Sequence, residues 1–147
     1  MPAVTHVVDA CALIAYFKGE AGRERFAELL ADEENVLAIH IVNLCEVYYD
    51  YYRSDGPDKA EEAWSKAVSF LQVIEKADES FMKRVGRWIA TRRIATGEFP
   101  LGDAFAAATA ENYGIPLVTI DHKDFDPIDQ SGILQIEWLI DETKGQN

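Results

Sequence analysis

A chain of 147 residues that is 48% hydrophobic, 11% aromatic and 27% charged has the size and composition of one globular domain, which excludes disordered, fibrous and disulfide-scaffold classes. Two cysteines without CxxC spacing, no leader signature and no apolar run near about 18 residues predict reduced thiols, no membrane span and a cytoplasmic setting. The net charge of −12, from 26 acidic and 14 basic residues, repels polyanions at long range, so any nucleic-acid contact has to be local or bridged by cations.

Thr5 to Val8 is an apolar, β-branched run that predicts a strand ending at Asp9, and Ala10 to Phe17 reads as a short helix. Phe26, Leu29 and Leu30 recur at helical spacing within residues 22–30, and Asp32 to Asn35 make a polar turn before a second strand, Val36 to Ile39. Asn43 stands where an N-cap would for a helix that carries Glu46 and has Leu44, Val47, Tyr48 and Tyr51 as its apolar stripe. Ser54 to Pro57 end it, and a further helix runs from about Asp58 to Leu71, followed by a short strand at Val73 and Ile74.

From Asp78, the positions of Phe81, Val85, Trp88 and Ile89 predict another helix; Gly97, Phe99 and Pro100 then break the chain before a small-residue helix from Leu101 to Tyr113, stopped by Gly114. Pro116 to Ile120 gives a strand ending at Asp121, residues 121–126 carry turn signals, and Ile133 to Trp138 gives a last strand before a polar tail, residues 141–147. Alternating strands and helices predict an α/β domain over residues 1–140, with a mostly parallel sheet of about four or five strands between helices. Ligands in such sheets bind beyond the carboxyl ends of the strands, where Asp9 and Asp121 fall.

Asp9 and Asp121 follow strands, Glu46 lies in a helix, and Asp103 opens the alanine-rich helix. Singly, each has a plain structural reading: Asp9 and Asp103 as helix caps, Glu46 as a solvated helix residue, Asp121 as part of a turn. Packed together they would repel one another, and Mg²⁺ or Mn²⁺, which prefer hard oxygen ligands, would relieve that. Such an ion activates water for in-line attack on a phosphodiester, in keeping with a chain that has no GxSxG motif and whose His6, His40 and His122 form no HExxH.

The segments Asp9-Ala-Cys-Ala-Leu-Ile, Asn43-Leu-Cys-Glu46-Val, Asp103-Ala-Phe-Ala-Ala-Ala and Val118-Thr-Ile-Asp121, in this order over nearly the whole chain, resemble the PIN-domain pattern. Within that family, they are most similar to VapC-type toxins of toxin-antitoxin pairs. The resemblance implies a PIN-like three-layer fold and a Mg²⁺- or Mn²⁺-dependent endoribonuclease acting on tRNA, rRNA or mRNA. It also implies a homodimer and inhibition by a small antitoxin protein inserted into the active-site groove. Asp9, Glu46, Asp103 and Asp121 match the family's acidic positions, and Asp124 matches a more variable fifth acid.

Two departures stand out. Cys11 occupies a position where the family commonly has a serine that supports the first aspartate, and Cys45 precedes Glu46; both read first as small buried hydrophobes, with oxidation near the acids as the second reading. The acidity requires a local basic contact, for which Lys83 to Arg93 is the candidate segment, with Arg92 or Arg93 reaching substrate phosphates or an antitoxin carboxylate. Its plainer reading is a solvated face. Among Tyr48, Tyr49, Tyr51 and Tyr52, burial periodicity assigns Tyr48 and Tyr51 to the core and leaves the other pair for base stacking or a dimer contact.

A haloacid-dehalogenase-type phosphohydrolase needs a second aspartate where this chain has Cys11, and a phospho-receiver domain needs an acidic pair near the end of the first strand, a central strand-end aspartate and a later lysine, none of which appears here in the required order. The remaining alternative is a PIN-like non-catalytic protein-binding module, for which the charge of −12 is the main argument.

Overall fold

The computed structural model describes residues 3–94 and 97–141. Its main sheet contains β1 (His6–Val8), β2 (Leu37–His40), β3 (Gln72–Ile74), β6 (Leu117–Thr119) and β7 (Ile136–Trp138), in the order β3-β2-β1-β6-β7 with every pairing parallel. Helices α1 (Ala10–Phe17), α2 (Arg23–Ala31), α3 (Ile41–Asp55), α4 (Pro57–Phe70), α5 (Glu79–Thr91), α6 (Leu101–Tyr113) and α7 (His122–Ser131) connect them. This is the expected three-layer α/β architecture. Among the described residues no helix is long and apolar enough to cross a membrane.

The strands are short and apolar on both faces because both faces are covered, as parallel sheets require. Successive residues alternate sides: Val7 and Leu117 face one core with Phe81, Trp88, Phe105 and Phe125, while Val8 and Val118 face the other with Leu13, Phe26, Ile39 and Val47. Helix α6 is buried nearly all round from Ala104 to Ala110. Its alanines let it lie close to the sheet where a larger residue would hold it off.

Three features differ from the sequence expectation. Helix α3 starts at Ile41, with His40 as its N-cap through an imidazole nitrogen that accepts the Val42 N–H, so Asn43 sits inside the first turn. Residues 122–131 form a helix where turn signals dominated, capped by the Asp121 carboxylate. A small antiparallel pair, β4 (Arg93–Ile94) with β5 (Gly97–Glu98), fills the break before α6. Of the polar tail, residues 142–147 lie outside the described residues.

Candidate active site

Because all five strands run the same way, β1 and β6 deliver Asp9 and Asp121 to the same edge of the sheet. Asp9 is buried and caps α1, its Oδ1 accepting the Ala12 N–H at 2.9 Å. Asp121 caps α7 in the same manner, its Oδ1 accepting the Asp124 N–H at 3.1 Å. Asp103 lies in the first turn of α6, where the cap position belongs to Pro100. The positive ends of three helices therefore face the acids and soften their mutual repulsion.

Glu46 arrives from α3. Asn43, one turn earlier and buried, donates its Nδ2 to Glu46 Oε1 at 2.8 Å and to the Gly102 carbonyl at 2.9 Å, tying α3 to the start of α6. The Glu46 carboxylate lies flat against Gly102, in space that any Cβ at that position would occupy.

Asp9, Glu46, Asp103 and Asp121 thus line one cleft of about 290 Å³, together with Cys11, Tyr49, Asp50 and Arg53. Asp124 sits beneath it, buried, and one carboxylate oxygen from each of Asp103, Asp121 and Asp124 falls within 4.8 Å of the others. The fifth acid, ranked last from sequence, is as tightly clustered as any.

Thr119 is the residue that sequence reading passed over. Fully buried at the end of β6, it donates its hydroxyl to Asp9 Oδ2 and accepts the Asp121 N–H at 3.0 Å. A lone threonine in an apolar strand carries no signal of its own. Cys11 takes up the supporting position, its thiol 3.1 Å from Asp9 Oδ1. Burial, reinforced by the Asp9 charge, holds that thiol well above the ordinary range, so it stays protonated and donates. Cys45 is exposed, contrary to the expectation of a buried hydrophobe.

The electrostatics follow from crowding. Burial pushes the Asp9 carboxyl up to about 6 against the downward pull of Thr119, Ala12 and Cys11. Burial raises Asp103 far more, with the Asp124 carboxyl beside it and the charges of Asp9 and Asp121 adding to the effect. Asp121 and Glu46 are raised by burial as well, offset by the Asp124 N–H and by Asn43 respectively. Each shift marks a carboxylate short of compensating positive charge.

A divalent cation would meet that need. Asp103 Oδ2 and Asp124 Oδ1 are buried without any hydrogen-bond partner, and buried oxygens of this kind are rarely left unpaired in a folded chain. The donor set is all hard oxygen, suited to Mg²⁺ or Mn²⁺.

Among the described residues, the basic segment that is the candidate for a substrate contact does not line this cleft. Arg84, Arg87 and Arg92 line a separate groove of about 200 Å³ with Trp88, Thr91 and Glu111. Arg84 pairs with Glu111 at 3.0 Å, and the Arg92 guanidinium sits over the Trp88 ring, 5.5 Å from its centroid. Being in line with the apolar stripe, Arg92 covers that stripe's end. The Arg93 side chain lies outside the described residues. Tyr48 and Tyr51 are half-buried and Tyr49 and Tyr52 exposed, as the periodicity implied.

An all-parallel sheet gathering carboxylates at its carboxyl edge defines an α/β domain with a candidate divalent-metal site. The chain belongs to the PIN domain family, whose family model matches residues 6–130. No curated protein matches it. Among solved structures it is similar to VapBC2 from Rickettsia felis, bound to a promoter DNA fragment, with a TM-score of 0.70 and 20% identity over 92% of this chain and 98% of that one. It is also similar to VapBC-1 from nontypeable Haemophilus influenzae, with a TM-score of 0.69 and 19% identity over 92% and 98%. VapC20 from Mycobacterium tuberculosis, a sarcin-ricin-loop-cleaving toxin, gives 0.66 and 19% over 84% and 95%. Likeness at these identities shows the shared fold.

Proposed function

We propose that this chain is a metal-dependent endoribonuclease that hydrolyses RNA phosphodiesters and acts as the toxin of a toxin-antitoxin pair. The observation that carries this reading is the convergence of Asp9, Glu46, Asp103 and Asp121 in one cleft over Asp124, with two buried carboxylate oxygens left unpartnered. Those four acids, with Asp124 as a fifth, would hold Mg²⁺ or Mn²⁺. The bound ion supplies charge neutralisation and Lewis acidity toward the phosphodiester.

The chain's own residues do the rest. Thr119 and Cys11 fix the Asp9 carboxylate, and Asn43 fixes Glu46 against Gly102. Asp103, raised well above the ordinary range by burial beside the Asp124 carboxyl, is the acid of the cluster with most to gain from a neighbouring positive charge. No serine or cysteine nucleophile is required: Cys11 is a hydrogen-bond donor to Asp9.

The toxin assignment draws on the solved structures of the same fold, which include VapBC toxin-antitoxin complexes and a sarcin-ricin-loop-cleaving toxin. By that analogy the partner is a small antitoxin protein, the active form is a homodimer, the substrate is tRNA, rRNA or mRNA, and the setting is the cytoplasm. The test is incubation of purified, antitoxin-free protein with a total-RNA pool in Mg²⁺ or Mn²⁺ and in EDTA, beside Asp9→Asn. Discrete fragments that need the metal and vanish in the variant support the reading. No cleavage under any condition, with the variant indistinguishable, returns the chain to a non-catalytic binding module.

A further inference from the structure

One face of α3 forms a wall of the acidic cleft, because Glu46, Tyr49, Asp50 and Arg53 recur at helical spacing and all line it. Glu46 lies at the acid cluster, and Arg53 lies about 10 Å further along the helix axis at 1.5 Å per residue. Among the described residues Arg53 is the single basic side chain lining the cleft.

Its state is unusual for such a place. Five carboxylates line the same cleft, yet among the described residues none lies within ion-pair distance of Arg53. Asp50, the nearest of those five in sequence, is held by Lys18 at 3.2 Å. The Arg53 guanidinium rests on the Tyr49 ring instead, 4.8 Å from its centroid, and Tyr49 is itself 45% exposed. The pair is an aromatic and a planar cation layered together, open to solvent and unneutralised, beside a site whose other charges are negative.

We infer that Tyr49 and Arg53 form a subsite for a nucleotide flanking the cleaved bond, with its base stacked on the Tyr49-Arg53 layer and its phosphate held by the guanidinium. This rests on the ribonuclease reading of the cleft. Base faces stack on aromatic rings and guanidinium planes whatever the base, and only an unpaired base has its faces free, so the subsite selects single-stranded RNA. A planar fork suits a phosphate better than a lysine would. The pair also answers the problem of net charge: one cation beyond the carboxylates anchors a neighbouring phosphate, leaving the acid cluster to its cation.

The experiment measures fluorescence anisotropy of a labelled single-stranded oligoribonucleotide with the full chain carrying Asp103→Asn to block cutting, across a salt series. Tyr49→Leu weakens binding about tenfold, whereas Tyr49→Phe, which keeps the ring, binds like the parent. Arg53→Gln weakens binding and lowers the salt slope by about 0.7, the value for one phosphate contact on a single strand, and Arg53→Lys restores the slope. A blunt duplex of the same sequence binds less tightly than the single strand.

Tyr49→Leu or Arg53→Gln binding like the parent, an unchanged salt slope in Arg53→Gln, equal affinity for the duplex, or no RNA binding by the parent would each overturn the inference. Unchanged RNA affinity with weakened binding of a protein partner would assign the pair to that partner and overturn it as well. Cleavage by the chain without Asp103→Asn is read separately. A chain that binds RNA through Tyr49 and Arg53 but cuts nothing keeps the subsite and removes the ribonuclease reading.

Discussion

Thr119 donates its hydroxyl to Asp9 Oδ2 from the end of the neighbouring strand, and the Thr119 Oγ1 itself accepts the backbone N–H of Asp121 at 3.0 Å. One buried side chain thereby fixes the geometry of both strand-end acids. Thr119→Val keeps the shape and removes the hydroxyl, leaving the Asp121 N–H without its partner and freeing the Asp9 carboxyl to rise further. The expected loss is about 1–3 kcal/mol of stability, with Thr119→Ser closer to wild type. Urea unfolding of the three proteins checks this, and a Val variant as stable as wild type would count against the role given to Thr119.

The raised acids make stability depend on pH in a definite direction. Burial lifts Asp9 from 3.8 to about 6 and lifts Asp103 well above its ordinary range, so the folded chain holds these protons where the unfolded chain has released them. Their stabilising contribution is complete below the unfolded values and is lost as pH rises through the folded ones. His6 and His40, lowered chiefly by burial, act oppositely as pH falls below 6.5, so the comparison belongs above that value. In EDTA at pH 8, Asp103→Asn is expected to be more stable than wild type by about 1–2 kcal/mol. Thermal melts in EDTA at pH 6.8 and pH 8 test it: an advantage that fails to grow with pH contradicts the cause assigned here.

Gly102→Ala separates function from stability. A Cβ there collides with the Glu46 carboxylate, which is the free end of a side chain and can swing away while the backbone stays. The alanine adds up to about 1 kcal/mol of helix propensity to α6. The expected result is a melting temperature at or above that of wild type with metal-dependent RNA cleavage reduced at least about tenfold, equivalent to about 1.4 kcal/mol in the transition state. Full activity would mean that the position of Glu46 against Gly102 is irrelevant to the chemistry.

Arg87→Gln and Arg92→Gln are expected to leave cleavage of a short oligoribonucleotide unchanged. The groove these residues line shares no residue with the acidic cleft. Initial rates for the two variants decide it, and a severalfold fall in either would return the basic helix to the substrate path.

The outline of this site was legible because its anchors sit at strand ends. Asp9 and Asp121 each follow an apolar run, and parallel strands carry such residues to one edge without further information. The helices with clear apolar stripes, such as α5 and its Phe81, Val85 and Trp88, were equally plain. Helix α7 was not, because Asp121, Asp124, Asp126 and Pro127 are turn-forming residues, and only the packing of Phe125 and Ile128 against the core settles them into a helix. A histidine N-cap for α3 is outside the usual capping set, so Asn43 drew the boundary instead of His40. Arg53 was invisible for a different reason: its importance depends on which acids face it, and that is a property of the assembled cleft.

The central claim is that the five clustered acids hold a divalent cation, and crystals grown with Mn²⁺ and measured at the manganese absorption edge test it most directly. The expected result is anomalous density within coordination distance of Asp103 together with Asp121, Asp124 or Asp9, lost in crystals of Asp103→Asn. Anomalous density only at surface acids, or none in the cleft at a saturating manganese concentration, would contradict the metal site and the nuclease built on it.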